Sequence, residues 1–401
     1  MLDAYIYDGT RTPFGRNAGA LARVRPDDML AGVIRTLVKR SPFDSKNIED
    51  VNVGCANQAG EDSRCVARHA ALLAGLPIEV AGAVVQRNCG SGMSAMINAA
   101  HAITCGEGDV FVAGGVESMS RAPFVIGKSE SAFSKSFNVF ESSLGARFPN
   151  TRIEDEFGAD TMPETSDNLA REFQLSRADC DAFAAASQAK YSAAKADGFF
   201  NSELTPVTFS GGRNKAEVTV DLDEHPRPGT DVETLGGMRS LFKDGVTTAG
   251  NASGINDGAA ALIIASQAAG DKVNAKPMAR IVSSAVAGVA PRIMGYGPVP
   301  ASKKALTRAG LTIDNMDVIE LNEAFAAQSL ACMKGLDLAF DDSRVNPNGG
   351  AIAVGHPLGA SGARLALTAT RQLQRTGGRY ALITMCIGVG QGIASVLERV
   401  E

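Results

Sequence analysis

Two stretches far apart in this chain carry the same pattern, and that repetition narrows the folds open to it. In the first, Ser91-Gly92 opens a segment with apolar residues at Met93, Met96, Ile97, Ala100 and Ile103, the spacing of one helix face. Gly106 supplies a stop suited to the left-handed backbone that follows a helix. The apolar run Val110–Ala113 comes next and ends in Gly114-Gly115. In the second, Ser361-Gly362 opens a helix with Leu365, Ala369 and Leu373, Gly377 stops it, and Ala381–Thr384 runs into Met385-Cys386. The serine-to-strand offset is 19 residues in one copy and 20 in the other. Two copies are too few for a solenoid, which needs about three. The pattern predicts two similar α/β halves that face each other.

Outside the repeat, strand and helix signals alternate, which is the rhythm of an α/β protein. Strands are expected at Ala4–Tyr7, Val51–Val53 and Val84–Gln86, and helices over Asp27–Lys39 and Cys65–Ala74, the latter closed by Gly75. From about 122 to 249 the rhythm is lost. That region is charged and loop-rich, with a helical stretch from Ser166 to Asp197 and phrases such as His225-Pro-Arg-Pro-Gly-Thr. The strand Ala259–Ser266 then restores the pattern. The expected division is an N-terminal half made of 1–121 and 250–271, an inserted domain over 122–249, and a C-terminal half over 272–401. A length of 401 residues is more than one ordinary core holds.

A net charge of −5 argues against a broad nucleic-acid surface. No clean apolar run reaches the ~18 residues of a membrane span. The N-terminus lacks a basic segment and a long apolar core, so it reads as strand and turn, not as a signal peptide. Seven cysteines are an odd number with no Cys-x-x-Cys or Cys/His metal spacing. A reducing compartment, the cytoplasm by default, and no bound metal are expected.

The chemistry concentrates in glycine-flanked residues. Cys89 follows a strand and precedes Gly-Ser-Gly and a helix. A thiol at a helix N-terminus meets the positive end of the dipole and free N–H groups, which should lower its pKa. The surrounding N–H groups can also serve an oxyanion. Cys386 ends an apolar strand before Ile-Gly-Val-Gly; alone it reads equally as a core cysteine or as an acid/base thiol. His356 is one of four histidines and stands before Pro357, which suits the first position of a helix. Its imidazole could serve a cysteine as base or give an N–H to a carbonyl oxygen. Asn322, in Glu320-Leu-Asn-Glu-Ala-Phe325, reads either as a helix N-cap or as an amide that holds a polarising water. The small residues of Ala249–Gly258 make either a turn or the wall of a narrow channel.

Taken together, Cys89-Gly-Ser-Gly, Asn322-Glu-Ala-Phe, Asn348-Gly-Gly-Ala-Ile-Ala-x-Gly-His356-Pro-x-Gly and Cys386-Ile-Gly-x-Gly resemble, in this order and over essentially the whole chain, the motifs of the thiolases. The resemblance implies a fold of two βαβαβαββ halves in α-β-α-β-α layers with an inserted loop domain, in dimers or tetramers. It implies that Cys89 carries the acyl group as a thioester. His356 would lower the pKa of Cys89 and, with a water on Asn322, polarise the substrate thioester oxygen. Cys386 would move the proton of the acetyl α-carbon, and the N–H groups of Cys89 and Gly388 would form a second oxyanion hole. Coenzyme A is a substrate, and no tightly bound cofactor is implied. Its pantetheine arm is expected along Ser253, Phe242, Met162, Ala249, Met294 and Phe325. The covering loop Thr161-Met-Pro-Glu-Thr lacks a histidine. With Gln86-Arg-Asn-Cys89 and Leu144-Gly-Ala-Arg-Phe-Pro-Asn150, it looks most similar to thiolases acting on 3-oxoadipyl-CoA. A dicarboxylic acyl tail needs a cationic or amide partner; Arg147, Arg152 and Arg213 lie in the right region.

Overall fold

The strand Asn256–Ala265 is the hub of the molecule, and each of its ten residues is buried. The computed structural model describes residues 2–213 and 215–400. On one side the hub pairs antiparallel with Val110–Ser118, beyond which Ile48–Gly54 and Ala81–Val85 add in parallel. On the other side it pairs with Tyr5–Arg11. That strand touches Ala279–Gly288 at only two positions, Tyr5 with Arg280 and Ile6 with Ala279. From there the order runs through Gln391–Arg399 and Tyr380–Ile387 to Val318–Leu321. A continuous ten-stranded sheet therefore joins both halves through a narrow seam.

Alternation explains why the hub strand can be apolar from Ala259 to Ala265: successive side chains go to opposite faces, and both faces are covered. Ala259, Ala261 and Ile263 pack outward with helices Pro26–Arg40 and Val66–Ala74. Leu262 and Ile264 pack inward with helices Ser91–Cys105 and Leu358–Thr376. In the C-terminal half Ile281, Ile393 and Leu397 point to the same inner layer, while Val282, Ala394 and Val396 face helices Pro298–Ala309 and Ala326–Gly335. The two helices of the repeat form the middle of an α-β-α-β-α stack. Among the described residues no helix is long and apolar enough to cross a membrane.

Glycines set how closely those two helices meet. A Cβ on Gly92 would lie 2.4 Å from the Gly359 carbonyl oxygen, and one on Gly362 would lie 2.2 Å from the Met93 nitrogen. Backbone presses on backbone at both N-termini, and the loops that precede them are drawn together.

Several local expectations change. The stretch Ser166–Asp197 is two helices, Met162–Phe173 and Arg177–Ala196. Gln174 takes φ 55 between them, and Ser176 with Asp179 forms a capping box that starts the second. The repeat's C-terminal helix begins at Leu358, before Ser361, with Pro357 as its N-cap instead of its first helical residue. Cys65 likewise precedes its helix as N-cap, with φ 69.

The inserted region is tied to the core by a fully buried ion cluster. Arg11 on the first strand gives its Nε to Glu203 at 3.0 Å and its Nη1 to Asp223 at 2.7 Å, all with unexposed side chains. The hydroxyl of Tyr191 donates to the same Asp223 at 2.9 Å. Removing one member leaves uncompensated buried charge. Arg11→Ala should lower the unfolding free energy by about 3 kcal/mol, which urea unfolding followed by circular dichroism would measure.

Candidate active site

Four loops meet where the N-termini of the two central helices touch. The first leaves strand Ala81–Val85 and turns sharply before helix Ser91–Cys105. Asn88 takes φ 44 there, a left-handed conformation that asparagine tolerates better than most residues. Ser91 Oγ accepts from the Arg87 N–H and donates to the Asn88 carbonyl, which locks the turn and presents Cys89. Part of Cys89 stays open to solvent.

The second loop is the hairpin between Tyr380–Ile387 and Gln391–Arg399. Val389 takes φ 66 and Gly390 φ 75. For a β-branched residue that is a strained conformation, of a kind found at functional turns. Asn88 Nδ2 donates to the Gly388 carbonyl at 3.2 Å, so the first loop holds the second. The backbone N–H groups of Gly388 and of Cys89 itself act on the Cys89 thiol so as to favour its anion. Burial pushes that thiol up to about 11, and these two N–H groups pull the other way. The direction is opposite to the lowering expected at a helix N-terminus, because burial outweighs the N–H groups of Gly388 and Cys89. Cys386, fully buried two residues before Gly388, is raised well above an ordinary thiol by burial and next by Cys89 itself.

His356 comes from the third loop. It is buried, its N–H donates to Asn256 Oδ1 at 2.9 Å, and Gly355 before it takes φ 103. Its Nδ1 lies 2.6 Å from Ser361 Oγ, and Ser361 Oγ donates its single proton to the Pro357 carbonyl at 2.8 Å. Ser361 must therefore accept from the imidazole. The ring proton sits on Nδ1, and Nε2 keeps its lone pair. Burial, and then the Arg364 charge, push the imidazole down to about 3, so the ring is neutral at physiological pH.

The fourth loop carries Asn322, buried between strand Val318–Leu321 and helix Ala326–Gly335. The helix N-cap is Phe325, so Asn322 is not serving as a cap. Its N–H donates to the Thr384 carbonyl and its Nδ2 lies 3.3 Å from His356 Nε2. Asn322 Oδ1 is buried and makes no hydrogen bond with any described residue. An amide oxygen left so is costly and is poised to accept from a donor entering the site.

Of the channel residues, Met294, Phe325 and Cys386 share one cluster with Ala324, and Ala252 packs on it. The Ser253 N–H donates to the Ala324 carbonyl at 2.9 Å. Met162 reaches the hairpin from the covering helix, its sulphur 4.0 Å from a Cβ built on Gly388. Phe242 is half-buried and Ala249 exposed, and Phe242 does not pack on that cluster. Arg147 binds the Asn57 side chain and carbonyl, whereas Arg152 and Arg213 are exposed.

Three residues that build the site escaped the sequence reading. Glu117 accepts the backbone N–H groups of Ala56, Asn57 and Gly359, fastening the start of helix Leu358–Thr376 to the N-terminal half. Glu323 accepts from Ser187, Asn346 and the Ile352 N–H, joining the Asn322 loop to the inserted region. Asn256 holds the backbone of His356. A glutamate among apolar residues on a strand was the one signal available for Glu117. The partners of all three are more than 20 residues away in sequence.

The profile of "Thiolase, N-terminal domain" matches residues 4–268, and that of "Thiolase, C-terminal domain" matches 275–399. A beta-ketoadipyl-CoA thiolase of Acinetobacter baylyi is 55% identical over 100% of both chains. A 3-oxoadipyl-CoA/3-oxo-5,6-dehydrosuberyl-CoA thiolase of Escherichia coli is 56% identical, again over 100% of each. Among solved structures, the acetyl-CoA acetyltransferase of Bacillus anthracis superposes with a TM-score of 0.93 at 36% identity, covering 100% of this chain and 99% of its own.

Proposed function

The chain belongs to the thiolase family of acyltransferases, and we propose that it cleaves 3-oxoadipyl-CoA with CoA to succinyl-CoA and acetyl-CoA. The observation that carries this reading is the full-length identity of 52–56% to proteins named for that reaction. The geometry supports the chemistry. His356 Nε2, unprotonated in this tautomer and facing the Asn322 amide, takes the Cys89 proton as sulphur attacks the 3-oxo carbon. In this reading the N–H groups of Cys89 and Gly388 stabilise the oxyanion formed there. The C2–C3 bond then breaks. Its electron pair becomes the enolate of acetyl-CoA, whose oxygen takes a hydrogen bond from the newly protonated His356 and from a water on Asn322. Cys386 gives the enolate carbon a proton and recovers one from the incoming CoA thiol. The CoA sulphur attacks the acyl-Cys89 thioester and releases succinyl-CoA, and the expelled Cys89 sulphur retakes its proton from His356, closing a ping-pong cycle with a covalent intermediate. Ser253, Met294, Phe325 and Met162 line the approach of the pantetheine arm in this reading, and Phe242 and Ala249 stand further out.

The division into halves 1–121 with 250–271 and 272–401, with 122–249 as the covering domain, belongs to the same proposal. It is supported by the seam between Tyr5–Arg11 and Ala279–Gly288. So does a cytoplasmic homo-oligomer, dimer or tetramer. The edge strand Ala81–Val85 and an exposed apolar row including Phe124, Ile126, Phe137 and Phe148 are surfaces that a second copy would cover. The substrate assignment is tested by kcat/KM for 3-oxoadipyl-CoA against acetoacetyl-CoA. A preference of at least about tenfold for the former is expected, since an anchored carboxylate contributes on the order of 1.5–3 kcal/mol; preference for acetoacetyl-CoA would refute it.

A further inference from the structure

An anionic acyl tail taken into a covered site needs a cationic partner there, and the topology sets one beside the nucleophile loop. Strands Ile48–Gly54 and Ala81–Val85 pair in parallel and end with Gly54 opposite Val85. The Cys55 N–H continues the ladder onto the Val85 carbonyl at 3.3 Å. The two chains therefore leave the sheet side by side, about 4.8 Å apart, one running to Asn57 and the other to Cys89. A Cβ on Gly54 would lie 2.2 Å from the Gly92 nitrogen, so the first loop presses on the helix that Cys89 precedes.

Asn57 is buried with all its polar groups in use. Its N–H donates to Glu117 Oε1 at 3.0 Å, and Glu117 Oε2 accepts the N–H of Gly359, three residues beyond His356. Its Oδ1 accepts the Ala59 N–H, and its Nδ2 donates to the Ser142 carbonyl at 2.8 Å. Arg147 rests on this seat. Its Nη1 donates to Asn57 Oδ1 at 3.2 Å and its Nη2 to the Asn57 carbonyl at 2.8 Å. Both partners are uncharged, so the bonds fix the guanidinium without neutralising it, and three of its five N–H groups remain for a ligand. The turn that carries Arg147 lies between two left-handed residues, Gly145 at φ 70 and Phe148 at φ 52. The second conformation is costly for an aromatic residue. Other arginines around these loops are committed or solvated. Arg121 pairs with Glu61 and Arg292 with Asp160. Arg87 turns onto Ser94 Oγ at 2.9 Å, and Arg64 and Arg152 are exposed.

We propose that Arg147, seated on Asn57 beside the Cys89 loop, is the specificity residue that binds the distal carboxylate of a dicarboxylic acyl group. This rests on the 3-oxoadipyl-CoA reading and names the group that its acyl tail meets. The carboxylate stays on the acyl fragment when the C2–C3 bond breaks, so the contact persists in the acyl-Cys89 intermediate and serves both half-reactions.

The test compares two substrates that differ only at the tail: 3-oxoadipyl-CoA and 3-oxohexanoyl-CoA, in which a methyl group replaces the carboxylate. kcat/KM is measured for each with the native full chain, with Arg147→Gln, which keeps amide donors for the Asn57 seat, and with Arg147→Met. Circular dichroism checks the fold of both variants. The native chain should favour 3-oxoadipyl-CoA, and the ratio of the two kcat/KM values should fall roughly 10- to 100-fold in both variants, the loss of a hydrogen-bonded charge pair. A native preference that survives in both variants overturns the proposal and leaves the substrate reading intact. So does a loss in equal proportion on the two substrates, which marks a residue that only holds the loop. A native chain that prefers 3-oxohexanoyl-CoA refutes the substrate reading itself and the proposal with it.

Discussion

Cys89→Ala should fold with unchanged circular dichroism and lose at least about four orders of magnitude in kcat. The loss is large because no other group near the site can carry the acyl chain. Cys386 is the neighbouring thiol, but it is buried and lies at a strand end and not at the N-terminus of a helix. Mass spectrometry after mixing with acyl-CoA is the direct measurement: the native chain gains one acyl group on Cys89 and the variant gains none. A variant that still acquires the acyl mass would remove Cys89 from its role. Because resting Cys89 is a thiol raised to about 11, its attack depends on an internal base. Thiolate formed by solvent alone would contribute little at neutral pH.

Cys386→Ala should separate the two halves of the cycle. Acylation of Cys89 from a simple acyl-CoA should survive, whereas exchange of the acetyl α-protons with deuterated water should fall by about 10⁴, the upper range for a lost general acid–base group. The split follows from position. Cys386 does not hold the first loop; Asn88 and Gly388 do that through a bond that leaves the thiol free. Nuclear magnetic resonance of acetyl-CoA in deuterated water reads the exchange directly. Exchange at the native rate would show that another group moves this proton. Removal of one sulphur atom from a fully buried site leaves a small cavity, so a modest fall in thermal stability is expected alongside.

Much of this was legible in the residues themselves. The repeat around Ser91 and Ser361 gave the two-half architecture because helix and strand periods are local properties, readable within about twenty residues. Glycine-flanked Cys89, His356 and Cys386 stood out because a backbone approached closely by a ligand must shed its side chains. Helix ends were less legible. The break at Gln174 depends on a left-handed residue that glycine did not announce. Pro357 and Cys65 stand at the N-caps of their helices, where their carbonyls accept the first local bonds: Ala360 and Ser361 N–H onto Pro357, and Arg68 and His69 N–H onto Cys65.

The protonation states were not legible at all. A thiol at a helix N-terminus suggested a lowered pKa, yet burial pushes Cys89 up against the pull of the Gly388 and Cys89 N–H groups. The ring proton of His356 was placed by Ser361, five residues on but in reach only because the helix starts between them. Glu117, Glu323 and Asn256 likewise acquired meaning from partners that the fold supplies. The sequence by itself determined which side chains could do chemistry and that two like halves would present them, because residue type and local period are written in the chain. The tertiary structure alone decided their charge, tautomer and mutual reach, because those depend on solvent exclusion and on contacts between segments hundreds of residues apart.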